Sequence, residues 1–129
     1  VVEVLKNCMG GAYENAVRNG AIIVAPFETM RGSSFSDAFV IMDEAQNTTP
    51  EEMKMFTTRI GENCRIVING DIAQSDIRQT SGLSTIIELA QRFNLPVPVI
   101  EFGIDDVVRS KECKMWIEAF HKSQPKVAL

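Results

Sequence analysis

With a single histidine, His121, and three cysteines far apart at Cys8, Cys64 and Cys113, the chain has too little to build a Cys/His metal cluster. It has no Cys-x-x-Cys pair, and the odd count argues against a disulfide framework, so the cysteines read as reduced thiols. Long apolar runs are also missing. The longest, residues 21–26 and 39–42, fall far short of the ~18 residues that span a bilayer. No secretory signal pattern is visible, and the expectation is a cytoplasmic protein with no membrane partner. Positive charge is in deficit: 13 Lys and Arg stand against 17 Asp and Glu, a net charge of -4. That balance argues against nucleic-acid binding by bulk charge. One Trp and one Tyr leave few aromatic platforms for base stacking. Finally, no Gly-Lys-Ser or Gly-Lys-Thr occurs, so the chain lacks the loop that cradles nucleotide phosphates on backbone N–H groups and a lysine.

What remains is a chain of 129 residues, 45% hydrophobic and 23% charged, of a size for one soluble domain. Residues 2–18 read as helical, broken by Gly10-Gly11. Residues 21–25 form an apolar run ending at Pro26 and predict a strand buried on both faces. A polar loop follows over 28–37. Residues 38–42 predict a second buried strand, stopping at Asp43-Glu44. Thr49, Pro50 and Glu52 spell a capped helix start with proline at the first helical position, and the helix is expected to reach Ile60 and stop at Gly61. Residues 65–69 predict a third strand, 71–81 a loop and 83–93 a helix. Residues 97–102 predict a fourth strand, and 110–122 a last helix with Cys113, Trp116, Ile117 and Phe120 on one face. The tail from Ser123 is expected to be flexible. Strands alternating with helices imply an α/β domain with a mostly parallel sheet flanked by helices, spanning 1–129.

In such sheets, sites form at the C-terminal ends of the strands. Three polar clusters fall at such ends: 28–34, 43–47 and 71–76. Apolar residues followed by Asp43-Glu44 make a Walker B arrangement. The Asp suits Mg²⁺, which takes few protein oxygens beside water and phosphate. The Glu can polarise a water for attack on a terminal phosphate. The plainer reading is that acidic residues end strands to meet solvent. Gln74 can sense a phosphate through its amide, or be an exposed loop glutamine.

Asp43-Glu44-Ala45-Gln46 with Gly70-Asp71-Ile72-Ala73-Gln74 resembles the motif pair of superfamily 1 helicase-like ATPases. Ala25-Pro26, Met30-Arg31-Gly32, the run from Ala38 through Thr49, the run from Met53 through Gly61 and the run from Asn69 through Asp76 together resemble the PhoH-like family. Asp106-Val107-Val108-Arg109-Ser110 is similar to that family's C-terminal motif. The resemblance covers most of residues 21–123. It implies a RecA-like P-loop NTPase that binds and hydrolyses ATP with Mg²⁺ and assembles as a homo-oligomer, with RNA as a further partner for some relatives. It assigns Asp43 to Mg²⁺, Glu44 to the catalytic base, and Gln74 and Asp71 to sensing. Gln46, Asp71 and Arg31 join Asp43 in the nucleotide-binding set. Arg109 would stabilise transferred-phosphate charge, acting from one subunit into the next, or else pair with Asp105 or Asp106. The absent phosphate loop leads to the expectation of a fold incomplete at its N-terminus, a portion of a longer protein. A degenerate homologue or completion by a second polypeptide are the alternatives. Two other functional readings stay open: an RNA-dependent, helicase-like ATPase and a non-catalytic oligomeric binding module.

Overall fold

A computed structural model describes residues 1–30, 32, 34–74 and 80–123, without the side chain of Gln74. Arg31 and the residues of the tail after Ser123 lie outside the described residues. The chain divides into two compact units, one ending at Leu95 and the other beginning at Pro96. No described helix is long and apolar enough to cross a membrane.

The first unit opens with two short helices, α1 (Val2–Met9) and α2 (Gly11–Arg18). Gly10 separates them at φ 55, a left-handed backbone that glycine adopts without a Cβ penalty. The predicted helical segment is therefore two pieces. Strand β1 (Ala38–Met42) pairs in parallel with β2 (Cys64–Ile68), register Ala38↔Cys64 to Met42↔Ile68. A parallel pair needs a crossover, and α3 (Pro50–Thr57) supplies it. Thr49 caps α3 as its sequence predicts, its Oγ1 accepting from Glu52 N–H at 3.1 Å. The helix ends at Thr57 rather than Ile60, because Ile60 forms a parallel bridge with Phe35 that extends the strand pairing backwards. Helix α4 (Gly82–Arg92) is capped by Ser81, whose Oγ accepts from Ser84 N–H at 3.1 Å.

Met42, Ala45, Met53, Phe56 and Leu83 form the core, with Val40, Ile66, Ile68, Phe27, Phe35, Ile86 and Ile87 packed against it. Phe35 sits over Phe56 with ring centroids 5.4 Å apart. Gly82 lets α4 approach the start of α3: a Cβ there would meet Thr48 Oγ1, Thr49 O at 2.7 Å and Met53 Cβ at 2.8 Å. The approach is fixed by the Gly82 N–H donating to Thr48 O at 2.7 Å.

The chain is α/β, but among the described residues its sheet has two strands where the sequence predicts four. Residues 21–25 form no strand, and Ile23 is 81% exposed. Residues 97–102 form none either. A strand apolar on both faces is stable only when neighbours cover both its edges and its faces. Strand β1 itself is covered on one face only. Val40 and Met42 turn inward, while Phe39 is 64% exposed, against the expected burial of both faces.

In the second unit a 3₁₀ turn (Ile104–Asp106) is closed by Gly103 N–H donating to Asp106 Oδ2 at 2.7 Å. It leads to α5 (Lys111–Ser123), where Ser110 Oγ accepts from Cys113 N–H. Trp116 and Phe120 stack along α5 at 6.4 Å between centroids, and both are exposed.

Candidate active site

The ends of β1 and β2 are tied before the site begins. Asn69 N–H donates to Met42 O at 2.8 Å, and Ala45 N–H donates to Asn69 O at 2.9 Å. These bonds continue the parallel ladder past the strand ends and hold the two following loops side by side. Asp43 stands at the first of these ends. Its Oδ1 accepts from Asn69 Nδ2 at 2.9 Å and from Glu44 N–H at 3.1 Å. Oδ1 is thus held by two hydrogen bonds from the loop and the neighbouring strand end.

Glu44 has φ 54 and ψ 38, a left-handed conformation that is uncommon for a non-glycine residue. Strain of this kind persists where surrounding bonds over-determine it, and such residues cluster at functional sites. The bonds here are identifiable. The following 3₁₀ turn (Ala45–Asn47) is buried at Ala45 and Gln46, and Thr48 Oγ1 donates to Ala45 O at 2.7 Å. Gln46 is 2% exposed. Its Nε2 donates to Glu44 Oε2 at 2.5 Å, and its Oε1 accepts from Asp71 N–H at 3.0 Å. Asp71 in turn closes its own loop, Oδ1 accepting from Ala73 N–H at 2.9 Å. Gly70 makes room for this arrangement. A Cβ there would lie 2.6 Å from Gln46 Oε1 and 2.8 Å from Leu83 Cδ2.

Asp43, Glu44, Gln46, Asn69, Gly70 and Asp71 together line an open cleft of about 250 Å³. The structure therefore gathers Asp43, Glu44, Gln46 and Asp71, four of the residues singled out in the sequence. The backbone of Gln74 lies in the 3₁₀ turn (Ile72–Gln74) that follows Asp71. Arg109 is exposed in the second unit and has no ion pair among the described residues, neither with Asp105 nor with Asp106. Asn69 and Gly70 gain roles that the sequence did not disclose. An Asn ending a strand opposite an Asp is the only signal that could have pointed to the first.

The donor set suits some cations and not others. Among the described residues no three His, Cys, Asp or Glu side chains converge as a metal cage. A single strand-end carboxylate whose described hydrogen bonds fall on one oxygen, Oδ1, fits Mg²⁺, which keeps waters and phosphate oxygens as its other ligands.

A sequence profile of the PhoH-like protein family matches residues 1–121. Protein PhoH of Escherichia coli (strain K12) is 45% identical over 103 residues, covering 78% of this chain and 29% of that protein. A PhoH-like protein of Bacillus subtilis (strain 168) is 39% identical over 123 residues, 93% of this chain and 38% of the relative. A PhoH-like protein of Synechocystis is 40% identical over 113 residues, 84% of this chain and 33% of the relative. The chain thus spans roughly a third of the length of these relatives. The match runs through both strand ends and the loops that form the cleft, and the chain belongs to the PhoH-like protein family.

Proposed function

We propose that the cleft at the ends of β1 and β2 is the acidic half of an ATP-hydrolysing site of RecA-like P-loop type. One observation carries this reading: Glu44 is held in a strained left-handed turn directly after Asp43, with Oε2 anchored on a buried amide. A solvent-facing acid at a strand end needs no such restraint. The other oxygen, Oε1, has no hydrogen-bond partner among the described residues, and Glu44 lines the cleft.

In this reading Asp43 Oδ2 would hold Mg²⁺, with Oδ1 kept in place by Asn69 and the Glu44 N–H. When bound, the metal supplies charge neutralisation for the phosphate oxygens. Glu44 Oε1 accepts a hydrogen bond from the attacking water and orients it in line with the terminal phosphate; as the water oxygen bonds to phosphorus the bond to the bridging oxygen breaks, ADP leaves with that electron pair, and Glu44 takes the water's proton. Asp71 borders the same cleft from the β2 side, and Asp71 and Gln74 would report the presence of that phosphate. Arg109 and Arg31 complete the set as phosphate-facing cations, Arg109 from a neighbouring copy in a homo-oligomer. The motif order supports these two assignments, and Arg109 is exposed as that role requires. The phosphate-cradling loop is contributed by polypeptide outside these residues, consistent with the share of each relative that the chain covers.

The test is Asp43→Asn in the complete polypeptide that carries this chain. Mg²⁺-dependent ATP hydrolysis should fall by at least about 100-fold, a loss of roughly 2.7 kcal/mol of transition-state stabilisation. Hydrolysis at the wild-type rate, with the wild-type Mg²⁺ requirement, would contradict the assignment.

A further inference from the structure

We infer that Gln46 is a positioning residue, one that aims the Glu44 carboxylate and locks it to the Asp71 loop without touching the nucleotide. This rests on the hydrolytic reading of the cleft and deepens it. Three observations carry the inference. Gln46 is 2% exposed and lies in the floor of the cleft. Its two amide atoms bridge the two loops, Nε2 donating to Glu44 Oε2 and Oε1 accepting from Asp71 N–H. Its amide oxygen occupies space that only a glycine at position 70 leaves open, a Cβ there falling 2.6 Å from it.

The chemistry of the amide gives this link a direction. A backbone N–H only donates, so the oxygen of Gln46 must face Asp71. The nitrogen then faces Glu44, and it too only donates. The amide can therefore hold Glu44 only through an acceptor oxygen, which leaves Oε1 as the atom for the water. Gln46 joins two loops 25 residues apart in sequence. A shift of the Asp71 loop, such as one made on contact with a terminal phosphate, is passed through a rigid side-chain amide to the catalytic carboxylate. With only 2% of its surface exposed, Gln46 offers a nucleotide in the cleft little to contact.

The experiment compares Gln46→Met and Gln46→Glu with Glu44→Gln in the complete polypeptide, measuring steady-state ATP hydrolysis across pH and the affinity for a fluorescent ATP analogue. Gln46→Met keeps length and loses both hydrogen bonds. It should lower kcat about 10- to 100-fold, with ATP affinity within about threefold of wild type. Gln46→Glu keeps an oxygen for Asp71 N–H, and when protonated it can still donate to Glu44. Its carboxyl faces Asp43, Glu44 and Asp71, the charged groups that line the cleft. Measured against wild type at the same pH, its kcat should therefore be closest at low pH and fall further behind as pH rises and the new carboxyl ionises against Glu44. Recovery at low pH also shows that this variant is folded, whatever the fate of Gln46→Met. Wild-type kcat and pH profile in Gln46→Glu, beside an inactive Glu44→Gln, would overturn the inference and leave the hydrolytic reading standing. Parallel loss of ATP affinity and kcat at every pH would overturn it as well, placing Gln46 in nucleotide contact or in the fold alone. Unchanged hydrolysis in Glu44→Gln would remove the hydrolytic reading itself.

Discussion

The side-chain amide of Asn69 donates to Asp43 Oδ1 across 2.9 Å, joining residues 26 positions apart at the ends of two parallel strands. The bond holds Oδ1, which also accepts from the Glu44 N–H, and leaves Oδ2 without a hydrogen bond among the described residues. Asn69→Ala removes an exposed, charge-assisted bond, so its effect on stability should be small, about 0.5–1 kcal/mol in urea denaturation. Its effect on the metal should be larger in kind: the half-saturating Mg²⁺ concentration for hydrolysis should rise several-fold, with ATP affinity in excess metal preserved. An unchanged Mg²⁺ titration would separate Asn69 from the site.

The left-handed backbone of Glu44 predicts an unusual ranking of two substitutions. Glu44→Ala and Glu44→Gly both remove the carboxylate and the Gln46 bond, so they differ in backbone alone. A Cβ at φ 54 costs about 1–2 kcal/mol, partly offset by the greater freedom of glycine in the unfolded chain. Glu44→Gly should therefore be the more stable of the two by about 1 kcal/mol in chemical denaturation. Equal stability would mean that the turn relaxes freely, and the argument from strain would fail.

Met53 is fully buried between α3 and α4, at the point where Gly82 brings the two helices together. Met53→Ala should lower the unfolding free energy by about 2–5 kcal/mol, since the closely packed glycine contact limits collapse into the void. The urea midpoint should fall with little change in slope. A loss below about 1 kcal/mol would show that this core repacks readily.

Much of this was legible in the sequence where the cause was local. Thr49 and Pro50 announce the start of α3 because capping depends on the residues themselves. The apolar run from Ala38 to Met42 and its stop at Asp43 likewise mark β1 and the first loop of the cleft. Residues 21–25 and 97–102 carry the same apolar signal and form no strand, because pairing depends on neighbours that a run of side chains does not specify. The end of α3 was misplaced by a non-local event, the bridge between Phe35 and Ile60. In the cleft, the identities of Asp43, Glu44 and Asp71 stand out in their motifs. The left-handed turn at Glu44, the close approach at Gly70 and the two-ended engagement of Gln46 arise only when loops distant in sequence meet.

The most direct measurement is ATP turnover and ATP binding by the complete polypeptide with Glu44→Gln, which keeps the size of the side chain and removes its basicity. The account predicts a fall in kcat of about 10²- to 10⁴-fold with ATP affinity retained, as expected when a general base is lost and the binding contacts are not. Wild-type turnover in this variant would contradict it and leave the acidic cleft without a catalytic role.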